Sequence, residues 1–328
     1  MNSLWAGGQK IFSKAIPGGL TQLHIKYPNR MYFFTVSKDG YVYIYDDKQI
    51  LSLYDPRGQK KWSKNVPGDG DFYWSGSSSN FFTTDENNLG YISYYGYYDC
   101  YDKTNGNRIV HKKMPAIDTR TIFFSTSNRS EDGYIYVIST TNPYGGIDTI
   151  LKMNSKGDIV SRIHSDILVS EIDYDFQIKN NLITVQGKKG IVNVFSIING
   201  KKIGTITPEG ANTFAEQMAL TNKGTIIQTA NSWSKGYVTE YSKDGKVLQH
   251  LKQVGKKGEI VMSLLVDNED NIIAWVDKAI GKYNQDFKKM WEWNAGITDW
   301  GSHANFTTDK VGNIYYCDDA GSVFKISA

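Results

Sequence analysis

Short runs of alternating apolar and polar residues recur along the whole chain, each introduced by a turn residue. Runs of period two that follow Gly, Asn or Asp predict β-strands joined by tight turns. One such unit occurs seven times, always with an aliphatic third residue. The copies begin at Gly40, Gly90, Gly133, Asn180, Gly224, Asp270 and Gly312, and their third residues are Val42, Ile92, Ile135, Leu182, Ile226, Ile272 and Ile314. The steps between the starts are 50, 43, 47, 44, 46 and 42 residues, which predicts a repeat architecture with a period of about 45 residues.

Each copy is followed by two further predicted strands and preceded by one. The next strand ends in a large apolar residue, at Tyr54, Tyr101, Met153, Phe195, Tyr241, Tyr283 and Ile326. After a polar turn, a last strand starts with a basic residue and continues with apolar ones, as in Lys61-Trp62, Arg108-Ile109, Lys202-Ile203, Lys246-Val247 and Lys289-Met290-Trp291. Four antiparallel strands make one propeller blade. The sequence therefore predicts an all-β, seven-bladed β-propeller that occupies residues 1–328 as a single domain.

The seventh unit lacks an outer strand. The chain continues past Gly312 for only two more strands, whereas Gln9-Lys10-Ile11-Phe12 fits the pattern of basic residue followed by apolar ones. We expect this N-terminal strand to complete the C-terminal blade and to bring Ile11 and Phe12 beside Ile314 and Phe324. Closure of this kind removes the exposed strand edges of an open array.

The repeat resembles that of quinoprotein-type (PQQ-like) β-propellers. The best match is Asp39-Gly40-Tyr41-Val42-Tyr43 followed by Tyr54-Asp55-Pro56-Arg57-Gly58 and then Trp62. The resemblance supports the fold, but the repeat occurs in enzymes, scaffolds and surface-binding proteins alike. Most of the repeats lack the tryptophan, and the adjacent cysteines and the signal peptide of the quinone-binding enzymes are absent. We therefore expect no cofactor.

Composition and charge narrow the class of function. The formal net charge is only +3, which gives no case for nucleic acid as a partner. The two cysteines, Cys100 and Cys317, are expected to be free and buried. The N-terminus lacks a signal-peptide pattern and no apolar run is long enough to span a membrane, so a virion or the cytoplasm is the expected location. No catalytic motif is found, and the histidines show no metal-ligand spacing.

A ring of acidic residues is one candidate binding site, since most predicted innermost strands are preceded by a carboxylate. These residues are Asp71, Asp118, Glu171 with Asp173, Glu216, Glu259 and Asp299, and the first blade has Gln22 and His24 in their place. A ring of carboxylates at one mouth of the channel suits a cation or a polyhydroxyl ligand. The alternative is that these residues cap turns or lie solvated at strand starts.

Aromatic residues provide a second set of candidates. They cluster around the second blade at Tyr73, Trp74, Tyr95, Tyr97 and Tyr98, and again at Trp291, Trp293 and Trp300. His303 is a further candidate, at the mouth of the channel. Exposed Tyr and Trp suit sugar faces and protein partners, although strands also favour Tyr for packing alone. Trp291 and Trp293 alternate on one strand face and are expected to lie in the core.

Three functions remain open at this point. The first is a non-enzymatic binding and assembly module on a phage tail or baseplate, which contacts host cell-wall glycan or neighbouring virion proteins. It rests on resemblance to tail-associated propellers of phages of Gram-positive bacteria, and on a composition rich in Lys, Asn, Ile and Tyr. The second is an intracellular protein-interaction scaffold. The third is a carbohydrate-active hydrolase or lyase that uses Asp71, Asp299 and His303.

Overall fold

The computed structural model describes most of the predicted strands. The described residues are 5–6, 9–10, 19–26, 31–66, 81–84, 87–92, 97–114, 122–125, 132–140, 147–168, 175–186, 190–208, 217–232, 235–250, 261–276, 279–294, 306–317 and 322–327. Within them, the strands form seven four-stranded antiparallel sheets and one two-stranded sheet. The prediction of seven four-stranded blades is thereby confirmed.

Contacts between residues divide the chain into two compact units, which are described separately. The first unit to be described contains residues 29–206 and 243–245, and the second contains residues 1–28, 207–242 and 246–328.

The unit of residues 29–206 holds blades 1 to 4, each with its strands in sequence order. Blade 1 contains β4 (Met31–Val36), β5 (Val42–Asp46), β6 (Ile50–Tyr54) and β7 (Lys60–Asn65). Blade 2 contains β8 (Phe81–Thr83), β9 (Leu89–Ile92), β10 (Tyr97–Tyr101) and β11 (Arg108–Lys113). Blade 3 contains β12 (Ile122–Ser125), β13 (Ile135–Thr140), β14 (Ile147–Met153) and β15 (Ile159–Leu168). Blade 4 contains β16 (Asp175–Lys179), β17 (Leu182–Gln186), β18 (Val192–Ser196) and β19 (Lys202–Ile206).

The other unit holds blades 5 to 7 and a short hairpin. Blade 5 contains β20 (Met218–Leu220), β21 (Ile226–Ser232), β22 (Lys235–Tyr241) and β23 (Val247–His250). Blade 6 contains β24 (Val261–Val266), β25 (Ile272–Val276), β26 (Ala279–Tyr283) and β27 (Lys289–Asn294). Blade 7 contains β28 (Phe306–Thr308), β29 (Ile314–Cys317), β30 (Ser322–Ile326) and β3 (Leu20–Lys26). The hairpin pairs β1 (Trp5–Ala6) with β2 (Gln9–Lys10).

The predicted turn residues adopt the left-handed backbone at six of the seven starts. They are Gly40, Gly133, Asn180, Gly224, Asp270 and Gly312, with φ between 52° and 88°. In blade 4, Asn180 and Asn181 both have positive φ and connect the paired residues Lys179 and Leu182. A two-residue connection of this kind is a type I′ hairpin turn, whose twist matches that of the strands.

The start assigned to blade 2 was wrong by three residues. Gly90 lies inside β9, opposite Cys100, and the left-handed residue of that turn is Asn87, with φ of 62°. Leu89, the first residue of β9, is therefore the aliphatic third residue of this copy, in place of Ile92. Gly90-Tyr91-Ile92 has the same residue types as the starts Gly40-Tyr41-Val42 and Gly133-Tyr134-Ile135, namely Gly, Tyr and an aliphatic residue, although it lies within a strand. With Asn87 as the start, the first two steps become 47 and 46 residues, which makes the repeat more regular.

The N-terminal part of the chain does complete the C-terminal blade, but through a different strand from the one expected. Leu20, Thr21 and Gln22 of β3 pair with Ile326, Lys325 and Phe324 of β30. Gln9 and Lys10 pair instead with Ala6 and Trp5, and Ile11 and Phe12 lie outside the described residues. Gln22 is therefore on an outer strand of blade 7, as is His24, and neither lies at the start of blade 1. The sequence Gln9-Lys10-Ile11-Phe12 satisfied the local pattern of an outer strand, whereas the buried side chains of Leu23 and Ile25 make β3 the better partner for the core.

The core of each unit lies between successive blades. In one unit, Tyr43 and Leu53 of blade 1 pack with Leu89 and Tyr101 of blade 2. The opposite face of blade 2 packs on blade 3 through Tyr98 and Cys100, among others. Blades 3 and 4 share a third cluster. In the other unit, blades 5 and 6 share one cluster and blades 6 and 7 another. Blades 2, 3 and 6 thus bury both faces of their sheets, which explains their near-continuous apolar middle strands.

Two predictions about individual buried residues are confirmed in these clusters. Trp291 and Trp293 are buried between blades 6 and 7. Cys100 and Cys317 are both buried, and neither forms a disulfide.

Candidate functional site

Most of the candidate residues from the sequence lie outside the described part of the chain. These are Asp71, Tyr73, Trp74, Tyr95, Asp118, Glu171, Asp173, Glu216, Glu259, Asp299, Trp300 and His303. The acidic ring stays a prediction. Two of the candidates, Tyr97 and Tyr98, lie on β10 of blade 2 and are described.

Tyr97 and Tyr98 point to opposite faces of blade 2, as neighbours on a strand do. Tyr98 is fully buried, and its hydroxyl donates a hydrogen bond of 2.8 Å to the carbonyl oxygen of Ser155 in blade 3. A fully buried side chain offers no surface to a ligand, so Tyr98 packs blades 2 and 3 together. Tyr97 is only half-buried and lies on the face of blade 2 that is turned toward blade 1.

The outer strands of blades 1 and 2 are strongly basic. The residues of β7 read KKWSKN and those of β11 read RIVHKK. Neither strand contains Asp or Glu, and both are largely exposed. The six cations, Lys60, Lys61, Lys64, Arg108, Lys112 and Lys113, are here called the basic edge.

Other outer strands carry far less positive charge. There is one Lys in β19, one in β3 and none in β23, while β15 has one Arg and one Asp and β27 one Lys and one Glu. Lysine on an edge strand often serves only to prevent pairing with another chain. A single Lys or Arg, or neither, is enough for the outer strands of the other described blades, so the six cations of the basic edge exceed that need.

Blades 1 and 2 are joined along this edge by two side chains of β7. The indole Nε1 of Trp62 donates a hydrogen bond of 2.8 Å to the carbonyl oxygen of Lys103. Lys64 Nζ donates a hydrogen bond of 3.0 Å to Asn107 Oδ1. Both acceptors lie in the turn between β10 and β11. These contacts hold the two basic strands next to each other.

A buried carboxylate lies behind the basic edge. Asp99 on β10 pairs with His111 on β11, and His111 Nδ1 is 2.7 Å from Asp99 Oδ1. The guanidinium of Arg108 is 3.6 Å from the same oxygen. The Asp99 side chain is 6% exposed, whereas those of His111 and Arg108 are 42% and 44% exposed. A buried carboxylate thus holds two exposed nitrogen-bearing side chains.

Tyr97 fixes the plane of the histidine ring. The two rings stack at a centroid distance of 5.1 Å with planes 4° apart. Lys113 Nζ lies 4.3 Å from the centroid of the Tyr97 ring, in a cation–π contact. Lys113 and His111 both approach this ring, and Asp99 holds the imidazole by Nδ1.

Comparison with solved structures identifies the fold. The chain is similar to a catalytically inactive virginiamycin B lyase from Staphylococcus aureus, solved with quinupristin, with a TM-score of 0.66, 11% identity, and coverage of 94% of this chain and 99% of that chain. It is similar to the Pan2 WD40 domain of Neurospora crassa, with a TM-score of 0.64, 12% identity, and coverage of 94% and 95%. It is also similar to BamB from Moraxella catarrhalis, with a TM-score of 0.51, 14% identity, and coverage of 90% and 82%. The chain has the seven-bladed β-propeller fold. A scan against protein-family models finds no match, and no curated protein matches the sequence.

The propeller repeat makes the position of Asp99 and His111 comparable between blades. The same cross-strand pair is Ser52 and Ser63 in blade 1, Leu151 and Arg162 in blade 3, Asn193 and Thr205 in blade 4, Thr239 and His250 in blade 5, and Gly281 and Glu292 in blade 6. Blade 2 alone among these six pairs a buried carboxylate with a histidine. Since the other blades form without such a pair, blade 2 has a feature that the fold does not require.

A second charged cluster lies in blade 3, and its groups bind one another. Asp132 Oδ2 accepts hydrogen bonds from Tyr136 Oη at 2.8 Å and from Lys152 Nζ at 2.7 Å. Burial and the bond to Asp132 raise the pKa of Tyr136 to about 12. Lys152 also lies over the ring of Tyr134, 4.1 Å from its centroid. These groups satisfy one another, and the cluster is best explained as a structural clamp.

Neither a metal site nor a membrane span is found in the described residues. No three or more His, Cys, Asp and Glu side chains among them are grouped in a way that could hold a metal ion. No helix in that part of the chain has the length and apolarity needed to cross a membrane.

Sequence reasoning found Tyr97 but missed its partners. Asp99 and His111 are twelve residues apart, and their contact depends on the register of two strands. The available signal was the charge of the outer strands: KKWSKN and RIVHKK stand out once the predicted last strands are compared for charge and not only for their pattern of apolar residues.

Proposed function

We propose that the chain is a non-enzymatic binding and assembly module, and that the basic edge of blades 1 and 2 contacts a partner with negative charge. The observation that carries the proposal is the set of six cations on two adjacent edge strands that contain no acidic residue. Two of the six are paired with carboxylates of other strands or turns, Arg108 with Asp99 at 3.6 Å and Lys112 with Asp158 at 2.6 Å, and the positive charge remains in excess. A surface with an excess of one charge attracts a partner of the opposite sign and raises the rate of association.

A binding role accounts for the position of the basic edge better than a catalytic one. Its side chains lie along two exposed strand edges and offer area for contact with an extended partner. The fold does not decide this question, because one fold hosts many functions. A solved propeller similar to this chain is a lyase, so catalysis is the outcome that the experiments below must separate from binding.

The more specific proposal is a place on a phage tail or baseplate, where the module contacts host cell-surface glycan or neighbouring virion proteins. The quinoprotein-like repeat and the Lys-, Asn-, Ile- and Tyr-rich composition support this assignment. Cell-surface polymers that carry negative charge are suitable partners for the basic edge.

Co-sedimentation with purified walls of Gram-positive bacteria tests the proposal. We expect the wild-type protein to sediment with the walls and to be released by added salt, because exposed charges are screened within about 8 Å at 0.15 M ionic strength. The double variant Lys60→Gln/Lys61→Gln should bind several-fold more weakly.

The matched control is Lys288→Gln/Lys289→Gln, which removes two neighbouring cations at the start of the outer strand of blade 6 and should bind like wild type. Equal losses in both variants would indicate attraction to net charge and not to the basic edge. Absence of wall binding, together with absence of the protein from purified virions, would overturn the proposal. Release of soluble sugar from the walls would favour the enzymatic alternative.

A further inference from the structure

We infer that Arg108, His111 and Lys113 form a phosphate-binding site at the centre of the basic edge, and that the ligand is a polymer of polyol or sugar units linked by phosphodiesters. The inference rests on the proposed function and names the chemistry of the partner.

The donors are arranged on one face of β11. The residues paired across to β10 are Tyr101 with Arg108, Asp99 with His111, and Tyr97 with Lys113. The extra residue at the bulge between Cys100 and Tyr101 keeps Arg108 on the same face as the other two. His111 and Lys113 are two positions apart, which corresponds to about 7 Å along a strand. A chain with regularly spaced charges can therefore bind more than one of these side chains.

Asp99 holds both Arg108 and His111. Nδ1 of His111 and the guanidinium of Arg108 approach the same carboxylate oxygen, so the other donors of the two side chains are held on the same face of β11. Nδ1 of His111 faces Asp99, and the cationic form of the ring donates from Nε2 as well. Stacking on Tyr97 removes the rotational freedom of the imidazole. Donors held in place before binding lose less entropy when the ligand arrives.

The burial of Asp99 is unfavourable for folding by itself, which suggests that this carboxylate has a role other than stabilising the blade. A buried carboxylate costs free energy unless it is paired, and blades 1 and 4 use neutral pairs at this position, Ser52 with Ser63 and Asn193 with Thr205. Orientation of a ligand-binding histidine and arginine is such a role. A carboxylate that supports a histidine is a common arrangement behind functional imidazoles.

Phosphate fits this arrangement better than a carboxylate. Arg108 and His111 approach from different strand positions, and a tetrahedral phosphate presents acceptor oxygens in several directions, whereas the two oxygens of a carboxylate lie in one plane. Arginine is also the side chain best suited to bind phosphate with two parallel hydrogen bonds.

A polyol or sugar phosphate fits better than a nucleic acid. Proteins that bind single strands provide aromatic faces on which bases stack. The Tyr97 ring is already in contact with His111 and Lys113, and the indole Nε1 of Trp62 is bound to Lys103 in the next blade. Among the described residues, the centre of the basic edge thus supplies charge, and its aromatic side chains are already engaged in other contacts.

Titration of the full chain with three synthetic probes tests the inference. The probes are poly(glycerol phosphate), poly-L-glutamate of the same number of charges, and single-stranded DNA of the same length. We expect poly(glycerol phosphate) to bind at least about tenfold more tightly than the other two. His111→Gln should weaken it by about tenfold or more, since a hydrogen bond to a charged group contributes this much. The matched control is His250→Gln at the same position of blade 5, which should bind like wild type.

Several results would overturn the inference. Equal affinity for poly-L-glutamate would indicate an acidic protein segment as the partner, and tighter binding of DNA would indicate a nucleic acid. Unchanged affinity in His111→Gln would show that the site is misplaced. If the variant does not fold, NMR of the imidazole nitrogens in the wild-type protein replaces it: no shift of the His111 signals with poly(glycerol phosphate) rejects the site.

The two proposals fail in different ways. If the wild-type protein does not bind native walls at all, the proposed function is wrong. If it binds native walls and walls stripped of phosphodiester-linked polymers equally well, the binding function holds and the phosphate ligand is wrong.

Discussion

The indole of Trp62 in blade 1 lies against Gly106 in blade 2 so closely that a Cβ at Gly106 would be 2.7 Å from Cε3 of the ring. Gly106 also has φ of 71°, where a side chain is strained. Nε1 of the same indole is bound to Lys103. The turn between β10 and β11 thus receives the indole both by contact and by a hydrogen bond. Tyr98 repeats the arrangement one blade further on, against Gly157 and Ser155.

Gly106→Ala should destabilise the protein by about 2–5 kcal/mol. About 1–2 kcal/mol comes from the left-handed backbone and about 1–3 kcal/mol from overpacking against the indole. Urea unfolding of the variant, followed by tryptophan fluorescence, measures the loss. In a Trp62→Ala background the overpacking should disappear and the cost of Gly106→Ala should fall to the backbone part. An unchanged cost there would mean that the contact with Trp62 is unimportant.

Tyr98→Phe should destabilise the protein by about 1 kcal/mol, because it removes the hydrogen bond to Ser155 and leaves that carbonyl without its partner. Binding to cell walls should remain at the wild-type level, since Tyr98 has no exposed surface. A variant of normal stability with impaired wall binding would return Tyr98 to the candidate ligand-binding residues.

Leu23→Ala should cost about 2–5 kcal/mol, the usual range for a buried leucine. Leu23 is 3% exposed and lies on β3, the strand that completes blade 7. Thr21→Ala, two residues earlier on the same strand and exposed, is the matched control and should change the free energy of unfolding by less than about 0.5 kcal/mol. Equal effects of both variants in urea unfolding would contradict the assignment of β3 as the closing strand.

The pairing of Asp267 with Lys282 should make stability depend on acid pH. Burial alone would raise the pKa of Asp267, but hydrogen bonds from Lys282, at 2.8 Å, and from Asn271 outweigh it and hold the pKa below its ordinary value of 3.8. A carboxyl with a lowered folded-state pKa contributes stability above its unfolded-state pKa, and the contribution is lost as the pH falls through the folded-state pKa.

Urea midpoints measured from pH 2 to pH 7 test this expectation. The wild-type protein should lose stability below about pH 4, and Asp267→Asn should show less of this loss and be less stable at pH 7. Asp286→Asn, an exposed position in the same blade, is the control and should keep the wild-type acid profile. Parallel profiles of Asp267→Asn and wild type would show that this carboxyl does not couple to folding.

Much of the fold could be predicted from the sequence because the residues that define each repeat are selected by local conformation and burial. Turns that need positive φ select Gly, Asn or Asp, and strands buried on both faces select aliphatic residues, so each blade repeats the same signature. Local chemistry also explains the errors. Gly90 and the segment from Gln9 to Phe12 satisfy the signature, but pairing across the sheet selected Asn87 and β3 instead.

The candidate site was far less predictable. The stack of His111 on Tyr97 and the contact of His111 with Asp99 depend on the register of β10 and β11, which is shifted by a bulge. No short motif in the sequence encodes that register. Composition indicated only a small net positive charge, because acidic residues elsewhere in the chain conceal the local excess on two strands.

The pairing of β3 with β30 has a consequence for how the protein is made. The two strands are about 300 residues apart in the chain, and contacts of such long sequence separation form slowly. During synthesis, β3 leaves the ribosome long before β30 exists, so its apolar residues must stay unpaired while the intervening blades fold. We expect blade 7 to be completed only after translation of β30, so that β3, although made long before the other strands of its blade, is the last of them to pair.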